Sequence, residues 1–160
     1  MKFLVIYHAG CSDGFCAAWL FHKAFPEADF HAAHYGTPPP DVAGKDVYIV
    51  DFSYKRDVML RIIDQARRVC VLDHHKTAEE DLALLPSCSL EEWVSLKGKV
   101  RIQFDRSKSG GRLAWELRAT WLGGTTMLRR VRAVGYDTFR RRPTLTTWDK
   151  IRIACHAVYR

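Results

Sequence analysis

The sequence lacks long apolar runs and paired cysteine motifs. No stretch approaches about 18 consecutive apolar residues, the length of a membrane-spanning helix, and the apolar run at the N-terminus is too short for a signal peptide. The five cysteines include no C-x-x-C pair, which argues against a structural zinc knuckle and against a disulfide framework. These absences predict a soluble, cytoplasmic protein with reduced thiols and no membrane partner.

Acidic residues are scarce in the last quarter of the chain. The 160 residues carry a net charge of +7, yet residues 117–160 hold ten Lys or Arg and two Asp, while residues 1–116 are close to neutral. With 48% hydrophobic residues, the chain is long enough to bury a core. The composition therefore predicts two parts, a folded domain over residues 1–116 and a basic tail over residues 117–160.

Strand-like and helix-like segments alternate along the predicted domain. Short apolar, β-branched runs suit strands that are buried on both faces of a parallel sheet. We predict strands at 2–7, 29–34, 47–50, 69–72 and 100–104, and helices at 15–25, 54–67 and from residue 110 through 117. Because each crossover helix must return the chain to the same edge, this order predicts an α/β fold with a mainly parallel, doubly wound sheet and flanking helices. Beyond residue 117 the periodicity fades.

Three predicted strands end on residues that can bind a metal ion. The groups are His8 with Asp13 after the first strand, Asp51 after the third, and Asp73-His74-His75 after the fourth. In open parallel sheets ligands bind outside the carboxyl ends of the strands, so we expect these side chains to converge on one crevice. Carboxylates and imidazoles without paired thiolates suit Mn²⁺ or Mg²⁺, with zinc as the alternative.

Each of these residues also has an ordinary structural interpretation when it is taken alone. An Asp just past a strand often caps a helix or forms a turn, and His8 could simply be hydrogen-bonded at a strand end. The triplet Asp73-His74-His75 is harder to explain in this way, because three titratable groups behind a buried strand are costly to desolvate without a metal or substrate. Agreement among three strand ends favours the metal site.

Four motifs follow one another along the chain. They are YHAGCSDGFCAAW at 7–19, VYIVDFSY at 47–54, VLDHHKTA at 71–78 and FDRSKSGGRLAWE at 104–116. In this order they resemble the motifs of the DHH phosphoesterase superfamily, in particular its small bacterial and phage phosphohydrolases. The ordered set is far more specific than any single motif.

The resemblance implies a metal site. Asp13, Asp51 and His74 would ligate catalytic metal, with His8 as an additional ligand or near neighbour. Two Mn²⁺ or Mg²⁺ ions would grip the scissile phosphate and generate hydroxide from bound water. This chain has Cys11 where many family members have a further acid, and cysteine is a poor ligand for a hard cation, so an incomplete two-metal site is one expected outcome.

The resemblance also implies catalytic and phosphate-binding residues. His75 would face the substrate and move a proton, and Asp73 would orient the adjacent histidines. Ser109, Gly110 and Gly111 would lie at a helix N-terminus, where free backbone N–H groups favour phosphate. A plain helix start explains the same three residues equally well.

The implied activity is the hydrolysis of a phosphate ester or anhydride. The substrate would be a phosphorylated small molecule, such as a nucleotide or a polyphosphate-like compound, or a short oligonucleotide. The family's fourth acidic motif and its separate C-terminal substrate-binding domain are not recognisable in this sequence. The alternative is a catalytically impaired remnant of the fold, or a nucleic-acid-binding module that uses the basic tail.

Two hypotheses account for the basic tail. A shift of reading frame after about Glu116 would produce Arg-rich sequence of weak periodicity, and an Asp-containing continuation in another frame of the gene would support it. A genuine tail would contact a nucleic-acid backbone through its arginines and stack on bases through its aromatic rings. The residues in question are Arg140, Arg141, Arg142, Trp121, Tyr136, Phe139 and Trp148.

Overall fold

The computed structural model describes residues 2–133 and 144–159. The chain divides into two compact units, residues 1–114 and residues 115–160, and each is described by itself. Arg140, Arg141, Arg142, Tyr136 and Phe139 lie outside the described residues, as does Asp137. The nucleic-acid contact proposed for these basic and aromatic residues therefore stays a prediction.

The first unit is built on a five-stranded parallel sheet. Its strands are β1 (Phe3–His8), β2 (Asp29–Ala33), β3 (Asp46–Val50), β4 (Arg68–Asp73) and β5 (Val100–Phe104). They lie in the order β2-β1-β3-β4-β5, and every neighbouring pair is parallel. The predicted α/β fold with a parallel, doubly wound sheet is confirmed. All residues of β3 and β4 are buried, as expected of central strands covered on both faces.

The helices α1 (Ser12–Ala24), α2 (Arg56–Gln65), α3 (Lys76–Leu82) and α4 (Leu90–Val94) connect these strands. Neither α3 nor α4 was predicted, because seven and five residues are too few for a helical period to stand out. A local signal for α4 does exist. Ser89 and Glu92 form a capping box, in which each side chain accepts a hydrogen bond from the other residue's backbone N–H.

The strand order places a crevice at the middle of the sheet. The chain leaves β1 toward β2 on one side, and then crosses back to β3 on the other side of β1. Connections that leave two adjacent strands in opposite directions open a crevice at the carboxyl ends of those strands. His8 ends β1 and Asp51 follows β3 directly, so both lie at this switch point.

Two helices dominate the described part of the remaining chain. The helix α5 (Gly110–Ala133) begins in the first unit and continues into the second, where α6 (Thr147–Tyr159) follows. Helical structure therefore extends well past residue 117, where the sequence periodicity had faded. Asp149 accepts hydrogen bonds from the backbone N–H and the hydroxyl of Thr146 at the start of α6. No helix within the described ranges is long and apolar enough to cross a membrane.

Candidate metal centre

The carboxyl ends of β1, β3 and β4 bring the four predicted metal ligands together. His74 Nε2 lies 2.9 Å from Asp51 Oδ1 and 3.7 Å from Asp13 Oδ2. His8 Nδ1 lies 3.7 Å from Asp51 Oδ2. Asp51 is therefore central, because each of its oxygens faces a different histidine. Residues that are separated by up to 66 positions in sequence share one crevice of the first unit.

Asp51 is a buried carboxylate with few partners. Its exposed fraction is 0%, and neither oxygen has a hydrogen-bond partner of ordinary geometry among the described residues, although the Cys11 thiol acts on this carboxyl as a hydrogen-bond donor. The 2.9 Å approach of His74 Nε2 is a contact outside hydrogen-bonding geometry. Burial raises the pKa of the Asp51 carboxyl and the negative charge of Asp13 raises it further, although the neighbouring thiol and imidazoles act in the opposite direction. A buried carboxylate in this state is costly unless a cation neutralises it.

The backbone at Asp51 is also unusual. Its φ of 54° lies in the left-handed region, which non-glycine residues seldom adopt and which Asp and Asn tolerate best. Such a conformation costs on the order of 1–3 kcal/mol and persists only where the surroundings impose it. The chain thus accepts both backbone strain and a buried carboxylate without ordinary hydrogen bonds at the same residue.

Asp13 is held by the N-terminus of α5. Its two oxygens accept hydrogen bonds from the backbone N–H groups of Gly110, at 2.7 Å, and Gly111, at 2.8 Å. Ser109 caps the same helix, since its hydroxyl accepts a hydrogen bond from the N–H of Arg112. The predicted phosphate-binding segment therefore lies at the metal centre, with two of its N–H groups donating to a carboxylate. Its role toward phosphate stays a prediction.

Two glycines allow helices to approach the site closely. A Cβ at Gly110 would lie 2.5 Å from Cβ of Asp51 and 2.7 Å from its Oδ1. A Cβ at Gly14 would lie 2.5 Å from the carbonyl oxygen of His8. Neither position has room for a side chain, so glycine at 110 does more than start a helix: it lets α5 begin against Asp51.

Asp73 is buried like Asp51 but is fully hydrogen-bonded. Its Oδ1 accepts hydrogen bonds from the backbone N–H groups of His74, at 2.7 Å, and His75, at 3.2 Å, and lies 2.6 Å from His75 Nδ1. Its Oδ2 accepts a hydrogen bond from the Ser53 hydroxyl at 2.7 Å. Asp73 is thus suited to orient the two histidines, and one of its oxygens also lies within 4.8 Å of ligand atoms of Asp51, His74 and His75, as in a group that could hold a cation. Ser53 had no role in the sequence interpretation, although it lies within the second motif.

Cys11 also belongs to the crevice. One ligand atom from each of His8, Cys11 and Asp51 lies within 4.8 Å of the others, as expected of residues that could share a cation. His8 Nδ1 is buried and has no hydrogen-bond partner among the described residues. The sequence interpretation regarded Cys11 as a departure from the ligand pattern, whereas the structure places its thiol beside two predicted ligands.

An aromatic cleft of about 710 Å³ adjoins the metal centre. The Tyr35 ring, which is 61% exposed, lies 5.2 Å from the His8 ring and 5.0 Å from the Phe52 ring. Lys55 and Arg61 contribute positive charge to the lining. Tyr35 was not singled out from the sequence, because a loop tyrosine has no periodic or motif signal.

Tyr54 adds an unpartnered polar group to this cleft. Its side chain is buried, and its hydroxyl has no hydrogen-bond partner among the described residues. Burial raises the pKa of Tyr54 to about 12, so the hydroxyl keeps its proton at neutral pH and remains available as a donor. Burial also raises the pKa of Tyr35, and the charges of Asp73 and Asp51 reinforce that shift.

Comparisons with known proteins assign no family to the chain. No protein-family model matches it, and no solved structure matches it. A curated relative is the uncharacterized protein R106 of Acanthamoeba polyphaga mimivirus, which is 30% identical over 107 residues. The match covers 52% of this chain and 24% of the relative, so the chain spans about a quarter of the length of the relative it matches.

The close approach of α5 to Asp51 gives a first prediction. We expect Gly110→Ala to lower the free energy of unfolding by about 1–3 kcal/mol, because the added methyl group overpacks the carboxylate. The displaced Asp51 should also weaken any stabilisation by divalent cations. Thermal unfolding with and without Mn²⁺ measures both effects.

Gly123→Ala is the matched control in the same helix. A Cβ at position 123 meets nothing within 4 Å, so this change should stabilise the helix by about 1 kcal/mol and leave the cation response intact. Equal effects of the two substitutions would contradict the packing role of Gly110.

Proposed function

We propose that this protein is a phosphohydrolase that depends on Mn²⁺ or Mg²⁺ and cleaves a phosphate ester or anhydride. The observation that carries the proposal is the buried Asp51 carboxylate, whose two oxygens lack hydrogen bonds and face His74 and His8. A divalent cation would neutralise this charge, which the protein otherwise offsets only through the Cys11 thiol and the neighbouring imidazoles. The resemblance of the motifs to DHH phosphoesterases supports the same activity.

The spacing of the donor atoms supports a cation at this position. Two donors held about 2.1 Å from an octahedral ion at right angles to each other are separated by about 3.0 Å. Asp51 Oδ1 and His74 Nε2 are 2.9 Å apart without hydrogen-bonding geometry. Asp13 Oδ2 lies 3.7 Å from the same nitrogen, and Asp73 and His75 place ligand atoms within 4.8 Å of those of Asp51 and His74. Carboxylate oxygens are the donors that these hard cations prefer.

Residues of the chain itself would transfer protons and add electrostatic stabilisation. When bound, the metal would polarise the phosphate and lower the pKa of a coordinated water. Asp73 contacts Nδ1 of His75. This leaves Nε2 of His75 to exchange a proton with the water or the leaving group. The N-terminus of α5 adds the positive end of a helix dipole beside the site.

The adjoining cleft supports a substrate that carries an organic group beside its phosphate. The exposed face of Tyr35 can stack on a planar ring. Lys55 offers positive charge to an anionic compound, while Arg61 is paired with Asp57 and Asp81 adds a negative charge to the same lining. These features favour a nucleotide or a short oligonucleotide over a bare polyphosphate.

A second candidate function is nucleic-acid binding without turnover, by an impaired remnant of the fold. The +8 net charge of residues 117–160 and the Trp148 side chain, which is 78% exposed, favour it. Hydrolysis that requires the metal separates the two candidates. The frame of the gene after codon 116 separately decides whether this tail is genuine.

The Asp51 proposal predicts opposite effects on stability and activity. Asp51→Asn should raise the free energy of unfolding of the metal-free protein by about 1–3 kcal/mol, since it removes a buried charge that lacks partners. Asn also tolerates the left-handed backbone at this position. The same change should abolish stabilisation by Mn²⁺ and reduce phosphodiester hydrolysis by more than about 100-fold, a larger effect than losing a residue that only orients a ligand.

Thermal unfolding and Mn²⁺-dependent hydrolysis of short oligonucleotides measure these effects. Asp64→Asn, which changes an exposed acid in the last turn of α2 outside the cleft lining, is the control and should alter neither. Undiminished hydrolysis by Asp51→Asn would refute the metal role of Asp51, and absence of turnover by the folded wild-type chain would favour the second candidate function.

The cleft proposal predicts a substrate-dependent effect at Tyr35. Tyr35→Ala should raise KM for a nucleotide substrate by roughly 5- to 150-fold, because stacking contributes about 1–3 kcal/mol per base. The kcat/KM of a phosphate ester without an aromatic ring should stay unchanged. Steady-state kinetics on both substrates tests this, and an equal loss on both would place Tyr35 in the metal centre rather than in substrate recognition.

A further inference from the structure

We infer that Cys11 is a metal ligand, and that His8, Cys11 and Asp51 form a cation position that prefers a thiophilic divalent ion such as Zn²⁺ or Co²⁺ over Mg²⁺. The inference rests on the metal centre proposed above and goes beyond it, because it assigns a different donor set and a different metal to one side of the site. It replaces the expectation that cysteine leaves this position incomplete.

The first argument is that the Cys11 side chain has no role in capping. Cys11 occupies the N-cap position of α1, and its side chain makes no capping hydrogen bond. Ser, Thr, Asp and Asn are the usual N-cap residues, and replacing one of them by a side chain that cannot cap costs about 1 kcal/mol. Capping therefore does not explain a cysteine here, and the thiol instead faces Asp51, on which it acts as a hydrogen-bond donor.

The second argument is the geometry around Asp51. Its Oδ1 faces His74, while its Oδ2 faces His8 on the other side. Both oxygens lack hydrogen-bond partners among the described residues, so the buried carboxylate is suited to bridge two cation positions. Metal ions in such paired sites lie about 3.5–4 Å apart. On the His74 side, Asp73 and His75 also place ligand atoms within 4.8 Å of Asp51, and the opposite side offers His8 and the Cys11 thiol.

The third argument is the fit of this donor set to one ion. His8 Nδ1 and Asp51 Oδ2 are 3.7 Å apart, close to the separation of about 3.4 Å between two donors of a tetrahedral zinc ion. The Cys11 sulfur lies within 4.8 Å of both partners' ligand atoms. His8 Nδ1 is buried without a partner, as a nitrogen reserved for a cation would be.

The chemistry of the thiol sets the metal preference. A thiolate is a soft donor that selects zinc and similar ions, whereas Mg²⁺ takes oxygen donors almost exclusively. Binding would release the Cys11 proton, since the thiolate is the ligand form of cysteine. The chain would therefore hold one position suited to Mn²⁺ or Mg²⁺ and a neighbouring position suited to a softer ion.

Optical titration of the metal-free full chain with Co²⁺ or Cd²⁺ tests the assignment directly. A thiolate ligand gives a sulfur-to-metal charge-transfer band, which oxygen and nitrogen donors do not give. We expect the wild-type band to saturate at one ion per chain and to disappear in Cys11→Ser, with the affinity for Cd²⁺ falling by more than about 100-fold. Cys16→Ser, at the next cysteine along α1, and Cys155→Ser, at an exposed cysteine of α6, are the matched controls and should keep the band.

Cys11→Asp tests whether residue 11 sets the preference between hard and soft metal ions. An oxygen donor at position 11 should tighten Mn²⁺ binding by on the order of 10-fold and weaken Cd²⁺ binding. Thermal unfolding of each variant with Mn²⁺ reports whether the site still folds and binds a hard cation.

The outcomes separate this inference from the proposed function. A band that survives Cys11→Ser overturns the inference. Stabilisation of the wild-type chain by divalent cations without any band overturns the inference and leaves the proposed function standing. No band together with no stabilisation by any divalent cation overturns both.

Discussion

The Asp51 carboxylate is the constraint on which the rest of the site depends. Three carboxylates share the crevice, and among the described residues backbone N–H groups donate to only two of them. Asp13 accepts two backbone N–H groups of α5, and Asp73 accepts two backbone N–H groups and a hydroxyl. Asp51, the most centrally placed, accepts none. Because a buried charge of this kind is costly, the asymmetry is best explained by a cation that would neutralise Asp51 and use its neighbours as further ligands.

The residues around Asp51 hold this carboxylate in its buried position. Gly110 brings the first turn of α5 against Asp51, and a side chain at that position would collide with the carboxylate. Asp13 fastens the same turn through both of its oxygens. Gly14 allows α1 to pack on the backbone of His8. The ligand-bearing segments are thus locked to one another before any cation binds, which is the preorganisation that an ion site needs.

Sequence reasoning predicted the sheet and the convergence of its strand ends, because both follow from strong local patterns. Apolar runs such as Val47–Val50 mark central parallel strands, and polar residues directly after them must lie at one edge of the sheet. The close approach of Gly110 to Asp51 was not predictable, since it joins residues far apart in sequence. Tyr35 lies in a loop without periodicity, and the helix over Lys76–Leu82 is too short to show any. The spacing of these residues in the sequence also could not show that backbone and hydroxyl groups donate hydrogen bonds to Asp73 and not to Asp51.

The state of Asp51 also links the stability of the fold to the occupancy of the site. Burial of the unpartnered charge and the left-handed backbone at Asp51 both disfavour the metal-free native state. A ligand that binds only the folded chain stabilises it in proportion to the logarithm of its concentration over Kd, so a cation at Asp51 would offset these costs when it binds. The cation would then be a structural component of the fold as well as a source of chemistry. Substitutions at residue 51 that stabilise the metal-free protein should therefore reduce the activity that we propose for it.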